Sequence, residues 1–283
     1  MKNIYVGSCS WKYPSWEGLV YSSRSPENYL AEYARKYNSV EIDQWFWSLG
    51  KKSYALPNRT LVAEYNDATP SDFRFTIKCP NTITSFFAYR GGTEPNRWFL
   101  HPDVFNQFFE RIEPLQPKLG LLMFQFEYLN KDKMDSQKQF LDRLDTFFSA
   151  LPKGLPYAVE IRNPRWIGSS WFSFLKGQQV APVLLQGYWM DDVTSTLQRY
   201  GKSLGDVACI RLHGDDRQGI EKATGDEWNR IVTPRDEELT YIAPLIAKIA
   251  KEGSKLYINI NNHYEGSSPV TISKLEKLLE KEG

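Results

Sequence analysis

The sequence predicts a (β/α)8 TIM barrel, and three observations support this prediction. Short apolar segments of the length expected for buried strands occur eight times along the chain. Amphipathic helical patterns follow most of them, and strands that alternate with helices form a parallel sheet. The length of 283 residues is slightly above the roughly 250 residues typical of this barrel. We therefore expect one α/β domain over residues 1–283, with extended loops at the C-terminal face of the sheet.

The predicted strands are short and largely apolar. In chain order they cover residues 4–6, 40–42, 73–77, 119–126, 157–161, 180–185, 207–212 and 256–260. Apolar residues at helical spacing predict helices near residues 29–37, 140–148, 239–249 and 272–279. A serine or threonine before a proline predicts the start of three helices, at Ser25, Thr233 and Ser268. Pro244 predicts a kink in the third of the four helices.

The composition excludes several classes of protein. Lys and Arg number 35 against 34 Asp and Glu, and 41% of residues are hydrophobic, which is typical of a globular protein. No apolar run approaches the roughly 20 residues that span a bilayer, and Gly7 and Ser8 interrupt the first one, so we expect a cytoplasmic protein without a membrane partner. Three cysteines without CxxC spacing indicate reduced thiols. The near-neutral charge disfavours nucleic acid as a partner.

Polar residues cluster where the predicted strands end. Four strands carry polar pairs at positions i and i+2, whose side chains share one face of a strand. The pairs are Glu41 with Asp43, Glu160 with Arg162, Arg211 with His213, and Asn259 with Asn261, and two further strands end in Lys78 and Gln125. Unpaired charges against the helix layer would cost several kcal/mol each, so we expect these side chains to point into the barrel mouth.

This mouth would hold cations and carboxylates together. Lys78, Arg162 and Arg211 are candidates for binding a carboxylate or phosphate. Glu41 or Glu160 would act as general acid or base, with His213 as a second proton carrier. Gln125 and Asn261 would orient the ligand, and Trp11 and Trp45 would stack on it, since aromatic side chains make up 14% of the chain.

Three other interpretations of the same residues stay open. The charges could neutralise one another and serve only to pin the strands together. Lys78 could form a Schiff base with a carbonyl substrate. Glu41, Asp43, Glu160 and His213 are types that bind divalent metals, but nearby cations already compensate the carboxylates, so we expect no metal. The sequence identifies no cofactor.

Several of these segments resemble the YecE-like family, domain of unknown function 72. The similar stretches are VGSCSWKYPSWEGLVY, YNSVEIDQWFWSL, FRFTIKCPNTIT, LGLLMFQF, VEIRNPRW, IRLHG and YININ, in this order along the chain. The resemblance implies a TIM barrel and no established activity. It adds weight to the positions that match the family pattern, which are Trp11, Tyr13, Trp16, Glu41, Lys78, Gln125, Glu160, Arg162, Arg211, His213 and Asn261. The chain departs from that pattern at residues 43–47, where Asp43 and Trp45 replace Asn and Thr.

Three functional hypotheses follow. The first is an enzyme, either a hydrolase, a lyase or an isomerase, that transforms a small anionic molecule such as a sugar phosphate or a nucleotide derivative by acid–base chemistry. The second is a ligand-binding or regulatory protein without catalysis. The third, by analogy of fold alone, is a divalent-metal-dependent phosphodiesterase or endonuclease.

Overall fold

Eight parallel strands close into a barrel in sequence order, as the computed structural model of the chain shows for residues 3–89 and 91–282. The strands are β1 Ile4–Ser8, β2 Ser39–Ile42, β3 Arg74–Lys78, β4 Leu119–Gln125, β5 Tyr157–Glu160, β6 Ala181–Gly187, β7 Val207–Gly214 and β8 Lys255–Ile260. The prediction of a TIM barrel is confirmed, and each predicted strand boundary lies within two residues of the observed one. The barrel closes through parallel pairing of β1 with β8.

Helices cover the outside of the barrel. They are α1 Tyr29–Ala34, α2 Arg59–Asp67, α3 Asn81–Thr84, α4 Pro102–Ile112, α5 Gln137–Ala150, α6 Ser169–Gln178, α7 Val193–Tyr200, α8 Arg217–Thr224, α9 Asp236–Lys251 and α10 Ser268–Lys281. α9 continues through Pro244. Within the described ranges, no helix combines the length and the apolar character needed to cross a membrane.

Two of the three predicted helix starts were wrong, and the third, at Ser268, was off by one residue at its cap. α1 begins at Tyr29, because Asn28 and not Ser25 accepts a hydrogen bond from the backbone of Ala31. α9 begins at Asp236 because the carboxylate of Glu265, a distant residue, accepts from the backbone N–H of Arg235 at 2.8 Å. α10 has Ser267 at its N-cap position, one residue before the predicted one. Tertiary contacts and a competing local cap therefore decide these ends.

The barrel interior changes from apolar to polar along its axis. Its lower part is filled by Leu121, Met123, Ala158, Ala181, Val183, Cys209 and Tyr257. A side chain at Gly120 would meet the ring of Tyr257 at 2.7 Å, so this packing requires glycine on β4. The upper part is lined by buried polar side chains from the C-terminal ends of the strands, and these form the candidate site.

Candidate functional site

Arg211 is the centre of a buried ion-pair network at the C-terminal end of the barrel. Its Nε and Nη2 donate to the two carboxylate oxygens of Glu41 at 2.8 and 2.7 Å, and Nη1 donates to Glu160 at 2.5 Å. Arg211 is 1% exposed and both glutamates are fully buried. Since these residues come from β7, β2 and β5, the network joins strands from different sides of the barrel.

Amide and hydroxyl groups complete this network. Nη1 of Arg211 also donates to Oε1 of Gln125 at 3.1 Å, so four of the five guanidinium N–H groups have a partner. Asn259 donates to Glu41 at 3.0 Å and to Thr76 at 2.8 Å. We call Glu41, Thr76, Gln125, Glu160, Arg211 and Asn259 the inner layer of the mouth.

The charges of the inner layer stabilise one another. Burial alone would raise the pKa of Glu160, but Arg211 and Arg162 outweigh it and hold that pKa below its usual value. Burial opposes the charge of Arg211, yet Glu41 and Glu160 raise its pKa well above the ordinary one. Glu160 and Arg211 are therefore both ionised at neutral pH, as expected for a buried ion pair held by several hydrogen bonds.

A second layer lies two residues further along the same strands. We call Asp43, Lys78, Arg162, His213 and Asn261 the outer layer. Arg162 is 17% exposed, and its Nε donates to Glu160 at 3.1 Å, which connects the two layers. The guanidinium of Arg162 also lies over the ring of Tyr188, at 4.8 Å from its centroid.

Lys78 is buried but unpaired. Its side chain is 7% exposed, and Nζ lies 3.9 Å from the ring centroid of Phe46. Among the described residues, this nitrogen has neither a hydrogen-bond acceptor nor a carboxylate within ion-pair distance. Burial, and then the charge of Arg211, lower the pKa of Lys78 to about 8, while Glu41, Glu160 and Asp43 oppose this shift from a distance.

Asp43 and His213 are the remaining titratable groups of the outer layer. Burial, followed by repulsion from Glu41, raises the pKa of the half-buried Asp43. Burial, followed by repulsion from Arg211 and Arg162, lowers the pKa of His213 well below its ordinary value, so its imidazole is neutral at pH 7. Nε2 of His213 lies 3.6 Å from Sγ of Cys9. Burial raises the pKa of the Cys9 thiol. The pair therefore consists of a protonated thiol and a neutral imidazole.

Backbone geometry between β6 and β7 fixes the wall beside His213. Tyr188 has a φ of 57°, in the left-handed region that non-glycine residues rarely adopt, and its backbone N–H donates to Gly214. A side chain at Gly187 would meet the carbonyl oxygen of Gly214 at 2.2 Å. Tyr188 is thereby held between Arg162 and His213, its ring centroid 6.1 Å from that of His213.

Three of the residues predicted for the site, Asn261, Trp11 and Trp45, contact residues outside the inner layer. Asn261 accepts from the backbone of His263 at 2.9 Å and lies 2.6 Å from the ring Nδ1 of His263. Trp11 and Trp45 both pack against Tyr65, with ring centroids 5.1 and 6.0 Å away. Their roles in ligand binding stay predictions.

Asn259 is an inner-layer residue that was not among the predicted site residues. Its register partner on β7 is Arg211, and its sequence signal was the polar pair that it forms with Asn261. In the ranges that the structure covers, no group of three or more His, Cys, Asp or Glu residues is arranged to hold a metal ion.

The fold and the mouth together define a TIM barrel with a buried Arg–carboxylate network at its C-terminal end. The family model described as "Protein of unknown function DUF72" matches residues 5–283, and the chain belongs to this family. The UPF0759 protein YecE of Escherichia coli K12 is 30% identical over 176 residues, which are 62% of this chain and 52% of that protein. The aligned part thus spans about half the length of this curated relative.

Two solved structures of DUF72 family proteins share the fold. One, from Enterococcus faecalis V583, has a TM-score of 0.73 and 20% identity, covering 98% of this chain and 95% of that one. The other, from Thermotoga maritima MSB8, has a TM-score of 0.68 and 20% identity, covering 98% of this chain and 99% of that one. The family resemblance inferred from the sequence motifs is therefore confirmed.

Proposed function

We propose that this protein binds a small anionic molecule at the barrel mouth and exchanges a proton with it. The observation that carries the proposal is the buried ammonium group of Lys78, which has no acceptor among the residues described. A buried cation without a partner costs several kcal/mol. An anion bound beside Nζ would offset this cost. The recovered free energy would contribute to the affinity for the anion.

The charges around Lys78 favour an anion over a cation. Glu41 and Glu160 are fully buried and already bound to arginines. The two carboxylates face three cations, which are Lys78, Arg162 and Arg211. These five groups therefore carry one positive charge in excess. Asp43 balances this charge when it is ionised, but it forms no ion pair with Lys78, so the positive charge at Nζ stays without a direct partner among the described residues.

Arg162 supplies the second contact in this proposal. Its Nε holds Glu160, and both of its Nη groups lack a hydrogen-bond partner in the described part of the chain. A guanidinium with free Nη groups matches the planar oxygen pair of a carboxylate or two oxygens of a phosphate. The side chain is fixed between Glu160 and Tyr188, so little conformational entropy is lost on binding.

The outer layer also supplies the groups for proton exchange. Asp43, whose pKa is raised, and His213, which is neutral, are the titratable groups of this layer that would give or take the proton in this proposal. In this proposal Glu41 and Glu160 position Arg211 and do not contact the ligand, because their oxygens are bound within the inner layer.

Calorimetric titration tests the proposal. The probes are inorganic phosphate, glucose 6-phosphate, adenosine monophosphate and pyruvate. We expect at least one to bind, and Arg162→Gln to weaken its binding tenfold or more, since a charged hydrogen bond contributes about 1.5–3 kcal/mol. Arg165→Gln is the matched control, because Arg165 is exposed and near in the chain. Absence of binding by all four probes, or equal affinities of the two variants, would overturn the proposal.

A further inference from the structure

We propose that Lys78 forms a Schiff base with its ligand, and that the anionic molecule is therefore a carbonyl compound such as a 2-oxo acid or a phosphorylated aldehyde or ketone. This inference rests on the proposed function, because the same mouth must first bind the anion. It goes further by assigning a covalent step to one nitrogen atom. The geometry of β3 and a comparison with a second buried lysine carry it.

The direction of Lys78 follows from its strand. Thr76 and Lys78 are two residues apart on β3, so their side chains share one face. Thr76 accepts a hydrogen bond from Asn259 of β8 across the barrel, which shows that this face is the interior. Nζ of Lys78 therefore extends into the mouth above the inner layer, with the ring of Phe46 at 3.9 Å.

Lys118 shows what a structural lysine looks like in this protein. Both lysines are 7% exposed. Nζ of Lys118 donates to the carbonyl oxygens of Asn66 and Thr69 at 2.5 and 2.6 Å and to the hydroxyl of Thr69 at 3.1 Å, so all three N–H groups have acceptors. Lys78 has none within the described ranges. A lysine buried only for structural reasons would resemble Lys118.

The surroundings of Lys78 also favour the neutral amine, which is the nucleophilic form. Burial and the neighbouring Arg211 lower the pKa of Lys78 to about 8, so roughly a tenth of the molecules carry a neutral amine at pH 7. Desolvation and a nearby cation are the established means of activating a lysine for imine formation. Arg162 would hold the anionic group of the same ligand.

The reaction balances without an oxidant or a reductant. The lone pair of Nζ attacks the carbonyl carbon, the nitrogen loses one of its two protons, the carbonyl oxygen takes one up, and a carbinolamine forms. This intermediate loses its hydroxyl group as water, with one proton supplied by an acid, while the nitrogen loses its remaining proton and the C=N bond forms. Asp43 is the candidate proton carrier, because it lies in the same outer layer and its charge acts on Lys78.

Borohydride trapping tests this inference. The full-length protein is incubated separately with pyruvate, glyceraldehyde 3-phosphate and dihydroxyacetone phosphate, reduced with sodium borohydride, and analysed by peptide mass spectrometry. We expect a reduced adduct on Lys78 with at least one probe, and much less on Lys118 and on the exposed Lys52. Lys78→Arg should abolish the adduct. Absence of any adduct, or equal labelling of Lys78 and Lys52, would overturn the inference.

Two further measurements separate this inference from the proposed function. Lys78→Arg keeps the positive charge but cannot form an imine, so it should bind the trapped probe within about tenfold of the unmodified protein in calorimetry. Binding of an anionic carbonyl probe without trapping would refute the Schiff base and leave the proposed function standing. Circular dichroism verifies the folding of the variant. The trapping rate of the unmodified chain should rise as the pH passes through 8 and level off about one unit higher, following the pKa of about 8.

Discussion

The inner and outer layers of the barrel mouth contain the same kinds of polar group but differ in how these groups are paired. In the inner layer, four N–H groups of Arg211 bind acceptors, and Glu41 and Glu160 each bind at least two donors. In the outer layer, Lys78 has no partner among the described residues, and Arg162 uses only Nε. A shift of two residues along the strands thus separates side chains that are paired with one another from Lys78 and from the Nη groups of Arg162, which have no partner in the described chain.

The largest expected effect is the loss of the inner-layer cation. Arg211→Met leaves Glu41 and Glu160 buried without their main counterion, although Arg162 still contacts Glu160. Removing one partner of a buried ion pair costs about 3–5 kcal/mol. Urea denaturation should show a loss of this size in the free energy of unfolding. Arg165→Met, the same substitution at an exposed position, should change it by less than about 0.5 kcal/mol. Equal losses of unfolding free energy in the two variants would show that Arg211 contributes no more to stability than an exposed arginine.

A smaller loss is expected when one carboxylate becomes an amide. Glu160→Gln keeps the shape of the side chain but loses charged hydrogen bonds to Arg211 and Arg162, at a cost of about 2–3 kcal/mol near pH 7. The pKa of Glu160 is lower in the folded protein than the unfolded value of 4.5. Its stabilisation is therefore complete above pH 4.5 and is lost as the pH falls toward the folded pKa.

Urea unfolding at several pH values checks this dependence. The difference in unfolding free energy between the unmodified protein and Glu160→Gln should be constant above pH 5.5 or so and shrink below pH 4.5. Glu127→Gln is the matched control, since Glu127 also forms an ion pair, with Lys133 at 2.6 Å, but is 44% exposed, where such pairs contribute about 0–1 kcal/mol. A difference that grows at low pH would contradict the ionised state of Glu160.

The smallest effect on stability should have the opposite sign. Lys78→Met removes a buried cation that has no partner in the described chain, so the protein should gain about 1–3 kcal/mol at pH 7 while anion binding weakens tenfold or more. The pKa of Lys78 is about 8 in the folded protein against 10.5 unfolded, so the unmodified protein gains stability as the pH rises from 8 to 10.5.

Thermal and urea unfolding between pH 7 and pH 10.5 measure the stability that Lys78→Met gains over the unmodified protein. This difference should disappear toward the upper end of the range, where Lys78 is neutral in the folded chain and loses its charge in the unfolded chain as well. Lys118→Met should instead destabilise the protein, because it leaves two carbonyl oxygens and a hydroxyl without their donor. Destabilisation of similar size by both substitutions would show that Lys78 has a structural role like that of Lys118.

The sequence allowed the barrel and much of the mouth to be predicted, for a physical reason. Strands of a parallel barrel are buried on both faces, so an apolar run that ends in a polar pair marks the C-terminal end of a strand, as it does for four of the eight. The pairs Glu41 with Asp43 and Arg211 with His213 show this pattern. The pattern determines the face of a side chain but not its depth, which is why Asn261 was selected and Asn259 was not.

Contacts between distant parts of the chain were beyond prediction. Arg211 binds Glu41 and Glu160, which are 170 and 51 residues away, and no local pattern indicates which carboxylate an arginine will choose. The start of α9 depends on Glu265, which follows that helix by more than a dozen residues. Both cases depend on tertiary geometry that forms only when the barrel closes.

The glycine contact between β6 and β7 has a consequence for redesigning this protein. Gly187 has a φ of 123° and Gly214 a φ of 74°, and a methyl group on Gly187 would collide with the backbone of Gly214. A library aimed at new ligand specificities should therefore keep both glycines and diversify Trp47 and Tyr128, whose side chains are 79% and 49% exposed on loops after β2 and β4. Variation there would alter the rim while leaving the supports of Arg162 and His213 intact.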